Sequence, residues 1–327
     1  MHFRQVISAL GACAVAICLS APNASAEAFP TKPIQLVVPF APGGGSDLSA
    51  RIFAKYASKY LPQRVLVQNI LGANGRTGEL AVQNARPDGH MLLWSHQSMI
   101  IEYATNRADD PLAVYDPVAT TASSPSALII AKDSPYKTPL EMNKWAREKP
   151  GTIRWGIAVN GFSHFGELLY LDAAKIGVKD FRVINVNGDK DRLMAMMQGN
   201  MDVTIITLSA IVPYLKSGDV RLLGVLSSER SDAYPDLPTV KEQGVDMSFS
   251  YDYTTYAPKG TPADRIKMLA EAWKKAINDP ECQKELKASL VLTKPLFGDE
   301  QDAFLKSEVK KFLRLATDFS LIEPKQK

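Results

Sequence analysis

The stretch Ile34-Gln35-Leu36-Val37-Val38-Pro39-Phe40-Ala41-Pro42-Gly43-Gly44-Gly45-Ser46-Asp47 runs from an almost wholly apolar segment through a glycine-rich turn to a polar residue. Its first seven residues suit a strand buried on both faces. Beyond it, Leu48, Ile52, Phe53, Tyr56 and Tyr60 fall on one stripe of a helix, with Asp47 expected as the N-cap. Three glycines between strand and helix let the backbone approach a ligand closely. The helix N-terminus then offers unpaired N–H groups and a partial positive charge to an anion. A tight strand–helix connection with no ligand would have the same composition.

Working outward, the same grammar recurs. Strands are expected at 64–68 and 90–95, separated by a loop through Gly72, Gly75 and Gly78, a short helix to about Asn84 and the turn Pro87-Asp88-Gly89. This β-α-β-α-β order calls for a mostly parallel sheet with helices on both faces. A second series follows, with strands at 127–131, 153–158, 181–186 and 203–206 and helices at 138–148, 164–175 and 191–198. Residues 221–226 read as a strand returning toward the first unit. The tail holds an extended aromatic run at 251–257 and helices at about 263–278, 280–289 and 299–317.

Because the middle series departs and the chain returns, two lobes are expected. Residues 27–122 and 227–327 would form the first and residues 123–226 the second, with crossovers near 117–126 and 225–230 as the hinge.

The first 26 residues read as a secretory signal: one positive charge at Arg4, an apolar run over 6–19, and Ala24-Ser25-Ala26 as a cleavage site. The cut is expected after Ala26, giving a periplasmic protein. Removing that segment takes one Arg and no acid, so the formal balance moves from 38 − 35 = +3 to 37 − 35 = +2. No basic cluster marks a nucleic-acid partner. Cys13 and Cys18 leave with the signal, so Cys282 is expected as a packed thiol without a disulfide.

Phosphate and catalytic motifs fail at identifiable positions. Leu48 stands where a dinucleotide fingerprint needs its third glycine, and no Gly-Lys-Ser/Thr follows the glycine run. Asn160-Gly161-Phe162-Ser163-His164 repeats the strand–loop–helix device, with Ser163 expected as N-cap. It resembles a nucleophile elbow only until Phe165 replaces the final glycine. Adjacent Ser163 and His164 side chains do not face each other on a helix. His164 and Glu167 lie three apart but lack an obvious third metal ligand. Trp94-Ser95-His96-Gln97-Ser98 closes a strand with hydrogen-bonding groups, which places Ser95, Gln97 and Ser98 among candidate ligand contacts. No cofactor, metal or catalytic residue is expected.

Taken together, these segments resemble the Bug-type periplasmic solute-binding proteins of tripartite tricarboxylate transporters. The resemblance rests on Phe29-Pro30-Thr31-Lys32-Pro33-Ile34 with the Val37 to Asp47 stretch, and on Asn69 with Gly72-Ala73-Asn74-Gly75. Ala85-Arg86-Pro87-Asp88-Gly89, Arg230, Pro235-Asp236-Leu237-Pro238-Thr239-Val240 with Glu242-Gln243-Gly244, and Ala257 through Pro262 complete it. It implies a two-lobed α/β Venus-flytrap fold of type II, each lobe a mostly parallel sheet flanked by helices. It further implies a carboxylate held by main-chain groups and ordered water at two loops. These map onto Phe40, Ala41, Gly43, Gly44, Gly45, Ser46 and Asp47, and onto Asn160, Gly161, Phe162, Ser163 and His164. The chain departs from the family pattern at Asn187-Gly188, at Asn160 and at Phe162. Asn187 is expected to donate to a ligand oxygen, and Phe162 to narrow the pocket or stack on a ring.

The function expected is capture of a small carboxylate, aliphatic or aromatic, by a monomeric receptor that hands it to membrane transporter subunits. A sensing partner of a membrane signalling protein would use the same pocket, and an exported hydrolase would need Ser163. Valine at Gly44 or Gly161 is expected to weaken binding sharply without unfolding the chain.

Overall fold

A computed structural model describes residues 29–232 and 234–324. The expected signal segment and its cleavage site lie outside these residues. Among the described residues ten strands are formed: β1 (Ile34–Val38), β2 (Val65–Asn69), β3 (Met91–Ser95), β4 (Tyr115–Ala131), β5 (Ile153–Ile157), β6 (Phe181–Asn185), β7 (Val203–Thr207), β8 (Val220–Val225), β9 (Ser250–Pro258) and β10 (Leu292–Leu296). The helices before β5 are α1 (Gly45–Ala57), α2 (Arg76–Gln83), α3 (Ser98–Ala104), α4 (Pro111–Val114) and α5 (Pro139–Glu148). Those after it are α6 (Phe162–Ala174), α7 (Asp189–Met197), α8 (Leu208–Ser217), α9 (Ala263–Ile277), α10 (Pro280–Ala288) and α11 (Gly298–Asp318).

The strands form two sheets that share β4. In the first, the order is β2-β1-β3-β9-β4, with β10 on the far side of β4. In the second, β6-β5-β7-β4 is extended by β8. The expected parallel character holds for β2-β1-β3 and for β6-β5-β7. Every pairing made by β4 or β9 is antiparallel, so each sheet is mixed. A strand that enters from the other sheet arrives head to tail with the strands already there.

β4 is the element that sequence reading divided. Residues 117–126 were expected to be crossover, yet they are strand. Tyr115 to Pro125 pair with β9, and Ser126 to Ala131 pair with β7 and β8. Pro117 and Pro125 look like breakers, but Pro117 sits at a register shift between 117 and 119, and Pro125 is the last residue of β4 paired with β9, opposite Ser250. β8 is also a correction: it pairs with β4 inside the second sheet and does not return to the first. The second crossing is tied at one point. Leu226 N–H donates to the Ser126 carbonyl, Phe249 N–H to Leu226, and Ser126 N–H to Phe249.

The Pro235 to Gly244 motif serves this segment. Thr239 N–H donates to the Glu242 carboxylate while Glu242 N–H donates to Thr239 Oγ1, a reciprocal lock of the capping-box type. Arg230 adds a forked pair to the same carboxylate, and Gly244 takes a φ of 91°. The apolar run of β1 packs as its composition demands, with Ile34, Leu36, Val37 and Val38 fully buried. Cys282 lies buried in the core as a free thiol.

Candidate ligand-binding cleft

The loops that follow β1, β2, β3, β5 and β6 all open on one cleft of about 310 Å³. This is the carboxyl edge of the parallel strands, where helix N-termini accumulate. α1 starts at Gly45 with Gly44 as N-cap, and α6 starts at Phe162 with Gly161 as N-cap. Both helices therefore begin earlier than expected from Asp47 and Ser163. Glycine suffices as a cap because the side chains thought to cap are occupied elsewhere. Asp47 accepts from Gly43 N–H, from Arg51 and from Asn69, and so braces the glycine loop from behind. Burial opposes ionisation of Asp47, but the bonds from Arg51, Gly43 and Asn69 outweigh it and hold its pKa below the ordinary value. Ser163 Oγ accepts from Ala158 N–H, closing the second loop on itself.

Among the described residues, no backbone carbonyl accepts from the first-turn N–H groups of Gly45, Ser46 and Asp47, or of Phe162 and Ser163. Two sets of unpaired donors thus meet the cleft from opposite sheets. They are close. A Cβ placed on Gly45 would stand 2.7 Å from Thr207 Cγ2, at the end of β7. On Gly44 it would meet only the Ala41 carbonyl, at 3.4 Å, so Gly45 and not Gly44 is the glycine the geometry requires. Gly161 is intermediate, with Ala158 Cβ and O each 3.0 Å away.

The cleft is lined by eleven of the residues singled out from sequence: Phe40, Ala41, Gly44, Gly45, Ser46, Ser98, Gly161, Phe162, Ser163, Asn187 and Gly188. Six others do not line it. Gly43 is an exposed residue of the loop, and Asp47 is buried behind it. Ser95 is fully buried in β3. Gln97 donates to Asp252 and Glu308 and accepts from Asp252 N–H, as part of the packing under α11. His164 Nδ1 accepts from Asn160 N–H, so it faces its own loop. Asn160, at a φ of 57°, turns its carbonyl toward Arg107 Nη2 at 2.6 Å and its amide toward Glu323 at 2.9 Å.

Those last two bonds join the two sheets' loops across the rim. Arg107 is also paired with Glu102 at 3.0 Å. Burial raises the pKa of Glu102, with Arg107 opposing it.

Sequence reasoning missed several lining residues. His96 stacks on Phe40 with centroids 4.8 Å apart and meets Phe162 and Tyr251 edge-on. Its Nδ1 accepts from Ser98 N–H, and burial lowers its pKa to about 3, so the ring is neutral. Phe162 is sandwiched against Phe249 and Tyr251, each at 4.1 Å, which makes it floor of the cleft and leaves no free face for a ligand ring. Leu71 to Gly75 form one wall. Asn69, flagged only by resemblance, donates to the Phe40 carbonyl and to Asp47. Asp189, Lys190, Asp191 and Arg192 come from the first turn of α7, a third strand–glycine–helix unit whose signal was Gly188 itself. The Arg192 side chain is 3% exposed and donates to the Asp189 carboxylate and the Val186 carbonyl.

The architecture can now be set beside known proteins. The sequence profile of the tripartite tricarboxylate transporter family receptor matches residues 49–321. The chain belongs to that receptor family. Its members are solute-binding receptors and not enzymes, which agrees with a Ser163 whose hydroxyl is turned to backbone. The UPF0065 protein in the gbd 5' region of Cupriavidus necator is 31% identical over 291 residues, covering 88% of each chain. The periplasmic binding protein BugD has the same two-lobed fold, with a TM-score of 0.82, 24% identity, and coverage of 90% of this chain and 100% of its own. R. palustris Rpa4515, solved with adipate, gives a TM-score of 0.80 at 25% identity over 89% of this chain and 98% of its own.

Proposed function

We propose that this receptor works outside the inner membrane, reached by cleavage of a signal segment after Ala26. As a monomer it would capture a small carboxylate between its lobes and present it to the membrane subunits of a tripartite transporter. The observation that carries this reading is the pair of opposed helix N-termini, α1 and α6, whose first-turn N–H groups lack protein acceptors across a shared cleft. One carboxylate placed there would receive charge-assisted bonds worth about 1.5–3 kcal/mol each. The relative solved with adipate supports the ligand class. We place the lobes on either side of β4, with the hinge where Ser126, Leu226 and Phe249 are tied; Ser126 and Leu226 fall within the expected crossovers and Phe249 lies outside them.

The test is thermal unfolding of residues 27–327 against a panel of mono-, di- and tricarboxylates, after refolding to remove carried-over ligand. An acid at about 100 times its dissociation constant adds about 2.7 kcal/mol and raises the midpoint by several degrees. No shift with any acid would defeat the carboxylate reading.

The rim contacts bear on closure. Arg107→Ala removes a cross-cleft bond from a charged donor, and such bonds contribute about 1.5–3 kcal/mol. If the bond exists only when the lobes are closed, ligand affinity falls by about tenfold or more. Calorimetric titration beside the parent protein checks this, and equal affinities would show that the rim bond persists in the open form.

A further inference from the structure

After α11 the chain reverses: Ser320 takes a φ of 55°, and Leu321 N–H donates to the Ala316 carbonyl. Glu323 N–H then donates to the Thr105 carbonyl, and Asn106 Nδ2 donates to the Glu323 carbonyl at 2.9 Å. The segment 319–324 is thereby fixed through its backbone to the loop after α3. Arg107 is fixed on that same loop. Its Nε donates to Thr105 Oγ1 at 3.0 Å, and its Nη2 lies 3.0 Å from the Glu102 carboxylate.

Asn160 is held independently, on the loop after β5, where its N–H donates to His164 Nδ1 at 3.1 Å. Two bonds join these separately braced halves. Arg107 Nη2 donates to the Asn160 carbonyl, and Asn160 Nδ2 donates to the Glu323 carboxylate. Asn160 makes both from a left-handed φ of 57°, which a residue other than glycine seldom adopts. None of Arg107, Asn160 and Glu323 lines the cleft.

We propose that segment 319–324 is a strap which, clasped to Asn160 beside Arg107, fastens the receptor from outside the cleft and holds part of the ligand-free protein closed. The proposal rests on the closure of two lobes read above and adds what regulates it. Each crossing bond has a charged partner. Such a bond, made only on closure, shifts the closed-to-open ratio about tenfold or more. A minor form populated at about 0.1–10% is within reach of that shift. Because the clasp lies outside the cleft, its contribution is the same for every acid that fits.

Spin labels on Leu66→Cys and Val183→Cys of residues 27–327 report the lobes. β2 and β6 end the strand path on either side of β4, where the lever arm from the hinge is longest, and both side chains are exposed. Pulsed electron resonance measures the distance between the labels without ligand, in this protein and with Glu323→Ala, Asn160→Gly or both added. Asn160→Gly removes the amide, keeps the carbonyl and suits the left-handed φ. The expected result is two populations whose closed-to-open ratio falls about tenfold or more in either variant. The double variant should match the single ones, since both remove one bond. Unchanged distances, whatever happens to the melting temperature, would overturn the proposal. The strap, α11 and α6 would then form one rigid body, built on the contact of Phe312 with Phe165 at 5.7 Å. Additive losses in the double variant, or a loss in only one single variant, would also overturn it, because the bond between Asn160 and Glu323 is then not the fastening. No ligand is used, so the carboxylate panel and the strap can fail separately.

Discussion

Gly45→Val is expected to lower ligand affinity by two orders of magnitude or more, while the unliganded protein unfolds within about 2 °C of the parent. A Cβ at this position meets Thr207 Cγ2 at 2.7 Å and its Cβ and Oγ1 at 2.8 Å, and valine adds two methyl groups beyond it. Thr207 belongs to the second sheet, so under the proposed closure of two lobes the clash would arise as the lobes shut. Overpacking of this kind costs about 1–3 kcal/mol. Lost bonds to a carboxylate add about 1.5–3 kcal/mol each. Together these reach about a hundredfold at 1.4 kcal/mol per decade. Gly45 is the first helical residue and is not among the glycines with positive φ, so its backbone conformation does not itself forbid a side chain. Gly44→Ala is the control, since its Cβ makes only an ordinary contact with the Ala41 carbonyl. Titration calorimetry with the best acid, alongside melting of the apo form, checks the pair. Equal loss of affinity in both variants would mean that the whole loop, and not the approach of Thr207, is the sensitive feature.

The second large effect concerns stability. Arg192→Ala should lower the unfolding midpoint by about 6–15 °C, from the roughly 3–5 kcal/mol that follows when one partner of a buried ion pair is removed. The Asp189 side chain is only 14% exposed and would keep the Thr207 N–H and hydroxyl as donors, but would lose its counter-charge. Replacing both members, as Asp189→Asn with Arg192→Met, should recover a good part of the loss, because no uncompensated charge then stays buried. A double variant no better than the single one would mean that Arg192 acts mainly through the Val186 carbonyl. Urea unfolding monitored by tryptophan fluorescence separates these cases.

Much of the fold was legible because local chemistry and tertiary role agreed. Each strand–glycine–helix unit was visible from an apolar run that ends in glycine, and the loops after β1 and β5 do line the cleft. What escaped detection was non-local. The caps were misplaced by two or three residues because Asp47 and Ser163 have the right chemistry for capping but are used to brace their loops. β10 was missed because Thr293, Lys294 and Pro295 give it no apolar run; its partner in β4 makes it a strand. Gln97 and Asn160 had plausible ligand-binding chemistry, yet Asp252, Glu308, Arg107 and Glu323 claim them from distant positions in the chain. His96, noted within its segment but passed over as a contact, and Arg192 escaped for the complementary reason. Their importance lies in what surrounds them, which one residue letter does not record.

The placement of β9 has a consequence for biogenesis. β3 is complete once Ser95 has been made and pairs with β1 on one side, yet its neighbour on the other side is β9, where Leu93 lies opposite Tyr256. The second sheet can be finished well before then, since β5 through β8 all precede residue 226. As the polypeptide emerges from its N-terminus, the first sheet must wait with an unpaired edge on β3 while the whole second sheet is threaded through and assembled. Long-range pairing of this kind slows folding and leaves strand edges open to other chains. A holding chaperone that shields an open strand edge would act in that interval, and truncations ending between residues 226 and 249 should be the ones that aggregate.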